Sequence, residues 1–106
     1  LGIAHAFNGS MQQAQTFLKL GIKLGFGGAC TYTRALHLQS LLTQLPVQAI
    51  VLETDAPYLS PTPFRGKRNE SSYLKYVIEK LANIYGLTSE EIAVKTSQNA
   101  FKIFGI

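Results

Sequence analysis

Residues 51–61 read VLETDAPYLSP, an apolar strand that runs straight into two acids and then two prolines. Carboxylates are rarely buried alone, because desolvating an unpaired one costs several kcal/mol or forces it to take up a proton. Either the strand surfaces at Glu53, or a positive group waits at its end. The approach to it, QAIVLE (48–53), is apolar without alternation, as a strand covered on both faces reads.

The same pattern recurs upstream. Residues 1–4 form a short apolar run closed by His5, and NGSMQQAQTFLKLG then reads as a turn and a helix. Ser10 suits the N-cap with Gln13 three residues on, and Gly21 suits the left-handed C-terminal position. IKLGFGG (22–28) is a strand that dissolves into glycines. A second helix is expected over 33–44, with Leu38, Leu41, Leu42 and Leu45 on its inner stripe and Pro46 as its stop. Downstream lies a loop rich in Pro, Arg and Lys (56–71). SYLKYVIEKLANIYG follows, with Leu74, Val77, Ile78, Leu81 and Ile84 at helical spacing. In the tail, a Thr88–Glu91 capping box predicts a short helix, and Ser97 a second start ended by Gly105. Strands alternating with amphipathic helices predict an α/β fold: a parallel sheet of three strands with right-handed crossovers, plus a helical tail. Three strands alone leave both edges exposed, which predicts self-association through them.

The chain of 106 residues is long enough for one domain with its own core. Its apolar runs are too short to span a bilayer, and no cleavable signal region opens it. A lone Cys30 excludes an internal disulfide and a multi-cysteine zinc cluster, and fits a reducing, cytoplasmic setting. The formal charge of +4 suits a polyanionic partner without requiring one. Because LGIAHAF opens in what reads as mid-strand, the chain is expected to be part of something longer.

In parallel α/β folds, functional groups gather at the carboxyl ends of the strands. His5 closes the first strand and Asp55 the third, with Gly25, Gly27 and Gly28 between them. Strands two apart lie roughly 10 Å from each other. Curved into a barrel mouth, imidazole and carboxylate could converge on one divalent ion over the open glycine end. Each residue also has a plainer reading: a hydrogen-bonded structural histidine, a turn-starting aspartate and glycines that permit a tight turn. Glu53, two residues before Asp55, points to the same side of the strand. It either orients a metal ligand from behind or is a rim acid in an ion pair. Arg65, Lys67 and Arg68 could hold a phosphodiester or form a solvated basic loop. Tyr32, Tyr58 and Phe64 could stack on bases or anchor loops. His37 reads as a surface residue without a partner, and Cys30 lacks an evident base that would make it a nucleophile.

Taken together, AHAFNGS, LGFGGACTYTRA, VLETDAPYLSPTPFRGKRNE and LTSEEIAVKTSQNAFKIFG resemble, in one register, the TatD family of metal-dependent deoxyribonucleases. The resemblance implies a (β/α)8 TIM-type barrel of which residues 1–106 are the C-terminal part, strands six to eight. It implies two divalent metal ions (Mg, Zn or Mn) at the carboxyl-end face and hydrolysis of phosphodiester bonds in DNA, usually as an exonuclease. Carried over by position, His5 is a metal ligand, and Asp55 a metal ligand or the acceptor of the attacking water's proton. Arg65 matches the arginine of the RG loop, for which phosphate contact is inferred. Ser71 stands where the family usually has proline. The other metal ligands would lie upstream, so the isolated chain is expected to lack nuclease activity. Attack on an ester or amide, such as an aminoacyl ester, and a non-catalytic assembly module are the competing readings.

Overall fold

In the computed structural model, the described residues are 2–32, 35–53, 61, 62, 64 and 73–105. Three strands, β1 (Gly2–Ala4), β2 (Ile22–Phe26) and β3 (Ile50–Leu52), form one parallel sheet in the order β1-β2-β3. The helices are α1 (Met11–Lys19), α2 (Leu36–Gln44), α3 (Leu74–Tyr85) and α4 (Ser89–Phe104). Consecutive strands are neighbours and parallel, so each crossover carries a helix, as the alternating pattern predicts.

The register pairs Ala4 with Leu24 and Leu24 with Ile50. That row faces the helices. Leu24, Phe26 and Ile50 pack with Ala14 of α1, Leu42 of α2, Leu81 of α3 and Ile92 of α4 in a single buried cluster. Each fully buried Leu or Ile there stabilises the fold by about 1.5–3 kcal/mol. The alternate row, which includes Gly25 beside Val51, points away from that cluster. Glu53 follows Val51 by two residues and shares its side.

Local chemistry explains most boundaries. Ser10 accepts from the Gln13 amide while the Gln13 side chain accepts from the Ser10 amide, so the capping box predicted for α1 is present. Leu38, Leu41, Leu42 and Leu45 are all buried, as their spacing requires. Two expectations are corrected. The third strand does not begin at 48, because Val47–Ala49 form a 3-10 turn closed by the Ala49 amide on the Pro46 carbonyl, at 3.0 Å. The tail is one helix of 16 residues, without a second start at Ser97. Its inner face continues through the polar stretch. Thr96 turns its hydroxyl back onto the Ile92 carbonyl (2.8 Å), and Asn99 donates to the carbonyls of Val47 (2.8 Å) and Ile50 (2.7 Å). Asn99, buried against the entrance to β3, ties the helix to the sheet where the local sequence invites a break. Among the described residues, no helix is long and apolar enough to cross a membrane.

Candidate active site

The carboxyl ends of the three strands form one rim, and Glu53 organises it. After β1 the chain turns at His5 and Ala6, and Ala6 takes φ +48°, a left-handed conformation that costs a non-glycine residue about 1–2 kcal/mol. The turn aims two donors at one carboxylate. His5 Nδ1 donates to Glu53 Oε2 at 2.7 Å, and the Ala6 amide donates to Glu53 Oε1. Beyond the turn, the Phe7 amide rejoins β2 on the Gly25 carbonyl at 3.0 Å. Glu53 is itself fixed by its amide, which donates to the Phe26 carbonyl at 3.0 Å.

Glu53 reaches His5 across the middle strand, and glycine makes that reach possible. A Cβ on Gly25 would stand 2.6 Å from Glu53 Cδ and overlap Oε2, while one on Gly27 would stand 2.7 Å from the Glu53 carbonyl oxygen. The glycine end does leave space, as the sequence implies. That space is filled by the Glu53 carboxylate.

The pair is unequal in exposure: the His5 side chain is 61% accessible and that of Glu53 16%. Because a carboxylate can only accept, the proton of this bond sits on His5 Nδ1. In the neutral ring the lone pair is then on Nε2, the tautomer in which a histidine ligates a metal while a carboxylate holds its other nitrogen. Among the described residues, no group of three or more His, Cys, Asp or Glu could hold a metal ion. One imidazole with a carboxylate behind it fits one corner of a divalent-metal site. Asp55, Arg65, Lys67, Arg68 and Tyr58 lie outside the described residues.

Beside the pair is a cavity of about 180 Å³, lined by Ala6, Phe7, Asn8, Gly27, Leu38 and Glu53 among others. Four hydrogen bonds to side chains tie the surrounding loops together. His37, read as a partnerless surface residue, instead places Nε2 at 2.9 Å from the Gly9 carbonyl and so joins α2 to the turn after β1. Gln39 donates to the carbonyls of Cys30 (3.2 Å) and Tyr32 (3.0 Å), holding the 3-10 turn Gly28–Thr31 that follows β2. The Thr62 amide donates to Thr31 Oγ1 at 2.7 Å, which links the segment after β3 to that same turn. None of these contacts has a local signal, since each joins residues from different elements.

Phe64 does not stand alone. It stacks on Tyr73 (ring centroids 4.2 Å apart, 11° between planes), and Tyr76 meets both edge-on at 5.2 and 6.2 Å. Cys30 is buried, and burial pushes its thiol up to about 12, which leaves no thiolate for nucleophilic chemistry.

Comparison with known proteins gives the family and the fold. The family model described as TatD related DNase matches residues 1–105. The chain is 44% identical over 105 residues to the uncharacterized metal-dependent hydrolase YabD of Bacillus subtilis, covering 99% of this chain and 41% of that protein. It is 37% identical over 109 residues to the 3'-5' ssDNA/RNA exonuclease TatD of Citrobacter rodentium, covering 98% of this chain and 41% of that one. The crystal structure of YjjV, a TatD homolog from Escherichia coli, superposes with a TM-score of 0.89 at 35% identity, over 99% of this chain and 40% of YjjV. The chain thus spans about two fifths of the length of the relatives it matches, and its three strands with their helices are part of a TIM-type barrel.

Proposed function

Since the chain belongs to the TatD-related DNase family, we propose that it supplies part of the active-site mouth of a metal-dependent hydrolase that cleaves phosphodiester bonds in DNA. Residues 1–106 are then the C-terminal part of one barrel domain. The observation that carries this reading is the His5–Glu53 pair, closed over Gly25 at the carboxyl ends of the strands. A structural histidine needs no carboxylate to select its tautomer, whereas a metal ligand gains basicity and orientation from one.

His5 would hold a divalent ion through Nε2, and Asp55 would add an acidic ligand or take the proton of the attacking water. A bound divalent ion supplies two things, a lower pKa for water and compensation of the charge that builds on the phosphate. Glu53 keeps the proton on Nδ1 and fixes the ring plane, and the Ala6 amide holds Glu53 in turn. Arg65 would meet the phosphate, for which a planar fork of donors is suited. An exonuclease named for single-stranded DNA and RNA among the relatives supports a nucleic-acid substrate over a small ester or amide.

The test uses the full-length protein with single-stranded DNA, divalent metal and a chelator control. Metal-dependent release of nucleotides is expected, with His5→Ala and Asp55→Asn each lowering it by about 10²-fold or more. Glu53→Ala should weaken metal affinity, read by calorimetry, by about 10- to 100-fold. Hydrolysis that persists in chelator, or that survives both His5→Ala and Asp55→Asn, would overturn the reading.

A further inference from the structure

We propose that Phe64, Tyr73 and Tyr76, flanked by Lys75, form a subsite on which one unpaired base of a single-stranded nucleic acid stacks beside the mouth. This rests on the reading of the protein as a nuclease and adds to it a site for the base, which phosphate contacts and metal do not supply.

The ring geometry is the first support. Phe64 and Tyr73 lie parallel at 4.2 Å, and Tyr76 closes on both edge-on. None of the three rings belongs to the buried core, and all remain partly exposed. A parallel pair has two outer faces, and a nucleobase can extend it as a further layer. Every base offers a π-face, so such a site reads single strands without regard to sequence.

Placement is the second support. The Phe64 amide donates to the Pro61 carbonyl at 2.7 Å, and Thr62 is tied to Thr31 on the turn that follows β2. The cluster is therefore fastened to the rim that carries Glu53 and His5. Charge is the third. Lys75 is exposed and sets its ammonium 5.2 Å from the centre of the Tyr76 ring, so a cation stands beside the aromatic faces. An apolar partner of the rings would gain nothing from that ammonium, whereas a nucleotide carries a base for the rings and a phosphate for the cation.

The experiment walks one abasic residue along a fluorescent single-stranded oligonucleotide. Binding is measured with the full-length protein carrying Asp55→Asn to prevent cleavage. At one position the abasic residue should weaken binding by about five- to 150-fold, the range for loss of one base–aromatic stack. Tyr73→Leu, which keeps an apolar side chain, should weaken the intact oligonucleotide to a similar extent. It should also erase the abasic penalty at that position, while leaving the salt slope unchanged. Lys75→Ala should instead lower the slope of log affinity against log salt by about 0.7. Tyr73→Phe should restore binding and so separates stacking from a folding defect. A penalty that is flat along the oligonucleotide, or is the same with and without Tyr73→Leu, overturns the subsite and makes the rings packing residues only. Metal-dependent cleavage judges the parent reading separately. Cleavage without abasic coupling sinks the subsite alone, and abasic coupling without cleavage sinks the assigned reaction alone.

Discussion

Replacing Gly25 by alanine tests whether the middle strand is glycine for the sake of Glu53. In an ordinary strand the change favours folding by roughly 0.5–1 kcal/mol, because glycine loses more freedom on ordering. Here the new Cβ would fall 2.6 Å from Glu53 Cδ. The carboxylate is the far end of a flexible side chain and can swing away, so the main cost is its lost bonds and not steric strain. Bonds to a charged group are worth about 1.5–3 kcal/mol when buried. The His5 bond is discounted to about 1 kcal/mol because that ring is 61% accessible, and the Ala6 bond, also exposed, is taken as about 1 kcal/mol. The sum, less the ordinary gain, leaves Gly25→Ala destabilising by about 1 kcal/mol, or roughly 4–8 °C in Tm for a domain near this size. With Glu53→Ala already present, the same substitution should instead stabilise by about 0.5–1 kcal/mol. Urea unfolding of the four proteins, followed by far-UV circular dichroism, gives the coupling directly. Nitrogen NMR of His5 should show the Nδ1-protonated tautomer weakened in Gly25→Ala. Effects that add within about 0.5 kcal/mol would refute the reasoning. Gly27 provides a control, since its Cβ would meet the Glu53 backbone at 2.7 Å and removing the Glu53 side chain should not rescue Gly27→Ala.

Two further outcomes follow from single groups. Among the described residues the Tyr85 hydroxyl is buried without a hydrogen-bond partner, and burial raises its pKa well above the usual phenol range. Tyr85→Phe removes that orphan while keeping the ring, so stability should hold or rise by up to about 1 kcal/mol; a clear loss in urea midpoint would show a partner for the hydroxyl. The Thr88 amide, then the Thr88 side chain, hold the Glu91 carboxyl below its ordinary 4.5. A depressed carboxylate stabilises the fold above its unfolded value, and the contribution is lost as pH falls through the folded one. Stability should therefore drop below about pH 4.5, and Glu91→Gln should flatten part of that limb while keeping the cap, as Gln13 does in α1. An acid limb unchanged by Glu91→Gln would count against it.

The fold was legible because its signals are local and repeat. The leucines of α2 fall at helical spacing, both capping boxes sit where Ser10 and Thr88 announce them, and apolar strands alternate with helices. What escaped was decided at a distance. Ser97 looks like a helix start, but Asn99 two residues on is held by the carbonyls of Val47 and Ile50, and that contact carries the helix through. His37 looks partnerless because its acceptor, the Gly9 carbonyl, lies 28 residues away in sequence. Phe64 could be noted as an aromatic on a loop, but its stack on Tyr73 depends on how the segment after β3 folds back.

The candidate site shows the same division within one residue. Sequence leaves Glu53 with two roles, an acid behind a ligand or an acid in a rim ion pair, because both follow from its place at a strand end. The choice depends on what lies across the sheet. Parallel pairing puts Gly25 beside Val51, so the position next to Glu53's path carries no side chain and the carboxylate can cross to β1. There it meets a histidine and an amide together, an arrangement that the left-handed turn at Ala6 makes possible. The backbone strain at Ala6 and the missing side chain at Gly25 are separate costs, set by different strands. Both are accounted for if the function of this rim is to hold His5 by Nδ1, which is why the coupling between Gly25 and Glu53 tests the site and not the fold alone.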